Sequence, residues 1–128
     1  MAPITSIYAA LLALLLLALA GRVVRVRLGQ QIPLGTGGSE DMEQRVRVHG
    51  NLTEYAPIFL ILLLATELGH APVWLLHGTG IAFVAGRVMH AAGLSKVRGR
   101  SAGRVYGSVL SWTAIVVLAV YLLGRSFL

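Results

Sequence analysis

Arg47, Asn51 and Glu54 are spaced i, i+4 and i+7, so on a helix they share one face. They stand at the mouth of the apolar run Ile58 to Leu64. A guanidinium, an amide and a carboxyl at that place offer charge pairing and hydrogen bonding, and each needs a partner or a ligand. A second pair, Arg87 and His90, is spaced i, i+3 about thirty residues on. The chain has no cysteine, so any thiol chemistry must arrive on a ligand. No spacing of His, Cys or acidic residues suits a metal, and no nucleophile triad or phosphate loop is present.

The elements that carry these residues are apolar. Of 128 residues 56% are hydrophobic and only 12% are charged, and the mean hydropathy is +0.77. A soluble domain carries roughly twice that charged fraction. Runs of about 20 apolar residues recur, each able to cross a hydrocarbon core of ~30 Å as a helix. Barrel strands would alternate over ~10 residues, and no such alternation occurs. The net charge of +6 reads as basic loops that fix orientation in a membrane, not as a nucleic-acid surface. The composition therefore predicts an all-α integral membrane four-helix bundle, a single domain over residues 1–128.

Helices are expected at about 4–24, 40–69, 73–94 and 104–124. The first has no charged side chain before Arg22 and no basic segment ahead of its apolar run, so it reads as retained rather than cleaved as a signal. Pro33, Gly35, Gly37 and Gly38 mark a loop, and Ser39 followed by Glu40 and Asp41 marks a helix start. Only 12 residues separate Glu54 from Glu67, so the second span must begin near Asn51. Pro57 lies inside that helix and is able to kink it. Gly69 to Pro72 forms a turn. Ser95 to Gly103 is a basic loop with Lys96, Arg98 and Arg100. Alternating helices put the segment Arg22 to Arg47 and the loop Lys96 to Arg104 on one side. The turn between them has no Lys or Arg, so both basic segments are expected in the cytoplasm and both termini outside. The two polar clusters then meet at one depth.

Each polar residue also has a structural reading. Glu54 and Arg87 would neutralise each other across two helices, or Arg87 would extend to the headgroups. His90 would be a packed histidine, and His70 and His77 polar edge residues. Gly21, Gly50, Gly86 and Gly93 would permit close helix packing or turns.

The pattern Arg47-x-x-x-Asn51-x-x-Glu54-Tyr55-x-Pro57, followed by Gly86-Arg87-Val88-Met89-His90, resembles the MAPEG family, membrane-associated proteins in eicosanoid and glutathione metabolism. The resemblance covers essentially the whole chain. It implies a homotrimer of four-helix bundles that holds glutathione between subunits at the cytoplasmic end. It further implies that Arg47 binds a glutathione carboxylate, that Asn51 bonds glutathione or holds Arg47, and that Glu54 meets the γ-glutamyl amine or a neighbouring arginine. Tyr55 would line the site, with His49, Arg87 and His90 as further contacts. Two carboxylates and an ammonium suit such a set. A guanidinium from Arg100 or Arg104, with Arg104 favoured, would stabilise the thiolate.

Active members carry a tyrosine one turn after the His90 position, where this chain has Leu94; Tyr106 is the nearest substitute. The expected function is a glutathione-dependent transferase or peroxidase acting on lipophilic electrophiles from the bilayer, in a bacterial inner membrane. The competing expectation, which Leu94 favours, is a non-catalytic structural or lipid-binding member. A small transporter subunit would need an aqueous path, and the outer halves of the second and third helices are nearly all apolar.

Overall fold

The computed structural model describes the backbone of residues 1–96 and 101–127, and the side chains of these except 94–96. The described residues form helices α1 (Pro3–Gln30), α2 (Glu40–Leu68), α3 (Val73–Lys96) and α4 (Ala102–Ser126), running up and down in sequence order. Helices α1, α2 and α4 are long and apolar enough to cross a membrane. At 24 residues, α3 is about 36 Å long and can follow its neighbours through the same thickness.

The helix ends follow local chemistry. Pro3 opens α1, where a missing N–H costs nothing. The helix does not stop near Val24, as its apolar run suggests, but continues to Gln30. Charge ends the apolar span without ending the helix, because arginine is a good helix former. Gln31 then turns left-handed at φ 52°, and Gly37 and Gly38 carry the loop at φ 57° and 75°. Arg27 donates to the carbonyls of Ile32 (3.3 Å) and Gly35 (3.0 Å), fastening that loop to the end of α1. Ser39 caps α2 by accepting from the Met42 amide, ahead of Glu40, Asp41 and Glu43. Ser101 caps α4 in the same way by accepting from the Arg104 amide, and donates to the Gly93 carbonyl at 3.0 Å. That second bond ties the start of α4 to α3.

The core follows a helical stripe on each element. On α4 it is Gly107, Ser111, Ala114 and Leu118, spaced i, i+4, i+7, i+11. Phe59 of α2 and Phe83 of α3 are fully buried and stack 3.9 Å apart with their planes 2° from parallel. Leu14, Leu17, Ile61, Val116 and Val120 point outward, as lipid-facing side chains do.

Helices α3 and α4 approach closely because both present small residues. A Cβ on Gly107 would lie 2.5 Å from the Gly86 carbonyl oxygen and 2.6 Å from the His90 amide nitrogen. A Cβ on Gly86 would meet Ser111 Oγ at 2.4 Å, and one on Gly93 the Arg104 amide at 2.7 Å. Gly103, Gly107 and Ser111 recur every four residues, the small-residue spacing that lets membrane helices touch. Gly21 and Gly50 do not share this role, since nothing lies within 4 Å of a Cβ built on either.

The opposite end of the bundle is closed by side chains. Glu67, in the last turn of α2, accepts the Ile4 amide at 2.8 Å and the Thr5 amide at 2.7 Å. One carboxylate thus satisfies two of the unpaired donors at the start of α1. Tyr8 Oη lies 2.9 Å from His77 Nδ1 and donates to the His77 carbonyl at 3.2 Å. His77 is therefore a tie between α1 and α3 and not a plain edge residue. His70 is exposed at φ 55° in the turn before α3.

Candidate functional site

The site grows from Arg87. Its side chain is 3% exposed, on the face of α3 turned toward α2 and α4. Nε donates to Ser111 Oγ at 2.8 Å and one terminal nitrogen to the Gly107 carbonyl at 3.3 Å. The other terminal nitrogen donates to Asn51 Oδ1. Two rings flank the guanidinium: Tyr55 lies 5.3 Å and Phe83 5.7 Å from its central carbon. Such placement is favourable for a desolvated cation.

This arrangement overturns two structural expectations. Arg87 does not reach the headgroups, because it is enclosed. It does not pair with Glu54, which is exposed. Among the described residues the ion pair present is Arg45 with Asp41, one turn apart on α2. Helix phase explains the separation. At about 100° per residue, Asn51 and Tyr55 lie some 40° and 80° around α2 from Arg47, whereas Glu54 lies about 20° the other way. The stripe therefore divides: Asn51 and Tyr55 face α3, and Arg47 and Glu54 stay on the surface. Asn51 consequently holds Arg87, not Arg47.

His90 and Arg104 line one open groove on the α4 side, together with Val105, Ser108, Val109 and Trp112. His90 is buried, at 7% exposure. Arg104 is half-buried. The Trp112 ring lies 6.3 Å from that of Tyr55, so the groove adjoins the Arg87 cluster. His49 is half-buried on α2. Tyr106 is 65% exposed and outside the groove lining. Arg100 and the side chain of Leu94 lie outside the described residues.

The structure thus joins Asn51, Tyr55 and Arg87 in one cluster and His90 and Arg104 in one groove. It leaves Arg47 and Glu54 facing outward on α2. Ser111, Gly107 and Trp112 belong to this region and did not stand out by charge. The four-residue spacing of Gly103, Gly107 and Ser111 is the sequence signal that marks the first two.

A polar cluster buried at one end of an up-and-down bundle, with apolar side chains turned outward elsewhere, defines a helical integral membrane protein. The family model described as MAPEG family matches residues 5–124. The "Inner membrane protein YecN" of Escherichia coli strain K12 is 35% identical over 117 residues, covering 91% of this chain and 88% of that protein. The protein of the same name from E. coli O6:H1 strain CFT073 matches to the same extent. The chain belongs to the MAPEG family.

Proposed function

We propose that this protein is a glutathione-dependent transferase or peroxidase of the bacterial inner membrane, working as a homotrimer on lipophilic electrophiles. The observation that carries this reading is the groove in which Arg104 and His90 stand beside apolar Val105, Val109 and Trp112. A cation next to an apolar wall is what a thiolate and a lipid-soluble acceptor need together. Free thiol has a pKa of about 8.5, and a neighbouring guanidinium lowers it toward neutrality. In transfer, the thiolate sulfur forms a bond to the electrophilic carbon and the leaving group departs as an anion. In peroxide reduction, two glutathione molecules become the disulfide while the hydroperoxide becomes alcohol and water.

Arg47 and Glu54, exposed on α2, remain open to a carboxylate and an ammonium of the tripeptide, or to a neighbouring subunit. The homotrimer and the site between subunits rest on family membership, as do the roles of Tyr55 and His49. The inner membrane is supported by the name of the E. coli relatives. Orientation rests on the positive-inside rule, with both termini outside and the arginine-rich ends in the cytoplasm.

Two measurements test the proposal. Purified protein in detergent is expected to conjugate glutathione to 1-chloro-2,4-dinitrobenzene. Arg104→Ala is expected to lower kcat/KM about 100-fold, a loss of ~3 kcal/mol in transition-state stabilisation. Arg47→Ala is expected to abolish glutathione binding in calorimetry. Wild-type protein that neither binds nor turns over glutathione overturns the reading.

A second reading is favoured by one observation: all three donor nitrogens of Arg87 are used inside the bundle. In that reading the polar cluster is adhesive between helices, and the protein is a non-catalytic structural or lipid-binding member.

A further inference from the structure

We propose that the cleft beneath the second half of α1 holds one anionic phospholipid, its phosphate at Arg22 and one acyl chain running between α1 and α3. The cleft has two parts that share Leu19 and Arg22. One is an apolar groove of about 280 Å³, lined by Leu15, Ala18, Val88, Ala91 and Ala92 besides the shared pair. The other is a polar recess toward α2, completed by Asp41, Gln44, Arg45 and Val48. The alanines leave the space that larger side chains would fill.

Depth matches a lipid. Arg22 lies about 29 Å along α1 from Pro3, which is the edge of a hydrocarbon layer ~30 Å thick. Leu15 and Ala18 stand up to about 10 Å deeper on the same helix, in the direction an acyl chain takes from its phosphate. Charge selects the headgroup. Arg22 is exposed and makes no hydrogen bond or ion pair with a described residue. The acid that lines the recess, Asp41, is bound to Arg45 at 3.0 Å. Arg25, exposed nearly one turn further on, adds a second positive charge at headgroup level. A groove in the bilayer is filled by lipid unless protein covers it, and the guanidinium at its mouth makes an anionic lipid the best occupant. This inference is independent of the glutathione reading.

The test is native mass spectrometry of the delipidated full chain in detergent, titrated with palmitoyl-oleoyl phosphatidylglycerol or with the phosphatidylcholine of the same chains. One phosphatidylglycerol per chain is expected to persist, with roughly five-fold preference over phosphatidylcholine, the effect of about one cation beside a charged headgroup. Arg22→Gln is expected to erase the preference and Arg22→Lys to keep it. Ala92→Phe, which fills the groove at an exposed position, is expected to reduce retention of both lipids. Equal retention of the two lipids by wild type overturns the proposal, as does an unchanged preference in Arg22→Gln. So does displacement of the lipid by excess glycerol phosphate, which would assign the site to a soluble anion. A changed oligomer mass in Ala92→Phe also overturns it, since a second copy would then cover the groove.

Discussion

Arg87 donates to acceptors on two other helices, Asn51 on α2 and Ser111 and Gly107 on α4. No carboxylate is among them, so the buried charge is held by dipoles and ring faces. A planar fork with fixed donor directions is suited to that task and a lysine ammonium is not. Arg87→Lys is therefore expected to destabilise the bundle by about 2 kcal/mol, and Arg87→Ala by about 3, because the acceptors lose a charged partner and a cavity remains. Ser111→Ala should cost about 2 kcal/mol, since the hydroxyl both accepts from Arg87 and donates to the Gly107 carbonyl at 2.9 Å, and the buried Nε is left without its acceptor. Thermal unfolding in detergent measures all three. Equal stability of Arg87→Lys and wild type would refute the account. At this scale the sequence was partly readable. That Arg87 needed a partner followed from its place in an apolar helix. That Asn51 would turn to Arg87 and not to Arg47, and that Ser111 would join it, did not, because packing sets the phase of α2 and a lone hydroxyl carries no charge to mark it.

The helices themselves were legible, since apolar length and loop chemistry define them without reference to tertiary contacts. Ser39 with its acidic first turn announced α2. The end of α1 was misplaced because hydropathy reports where a helix leaves lipid, not where it stops. Glycines were the least legible feature, because the same residue type serves packing in one place and nothing evident in another. Two substitutions separate these uses. Gly107→Ala pushes a methyl group into backbone atoms of α3, and backbone cannot yield as a flexible side chain can. It is expected to cost about 3 kcal/mol and to lower the yield of folded protein. Gly50→Ala meets nothing and is expected to stabilise α2 by about 0.5–1 kcal/mol, since alanine loses less backbone entropy. Opposite signs in denaturant titration are the expected outcome; a loss at both positions would show that Gly50 is packed after all.

Across the whole molecule the two ends differ in kind. One collects Arg22, Arg25, Arg27, Arg45, Arg47 and Arg104, together with the groove and the proposed lipid cleft. The other has Arg125 as its one arginine among the described residues and is held by short ties, Glu67 to the amides of α1 and Tyr8 to His77. By the positive-inside rule this asymmetry predicts one orientation in a membrane. A fusion reporter that reads topology is expected to place the loop between α1 and α2 in the cytoplasm. The exposed Arg47 and Glu54 ask for company at the same end, and sedimentation equilibrium in density-matched detergent is expected to return the mass of three chains. A monomer would remove the basis for a site shared between subunits.

The carboxylate of Glu67 reaches backbone amides 63 and 62 positions earlier in the chain. During synthesis the opening turn of α1 leaves the ribosome before that acid does. Its bare amides must make do with water or lipid phosphates while the ribosome completes the hairpin. Docking of the first two rods can therefore be sealed only once translation has passed residue 67, which makes this clip a late latch on an early helix.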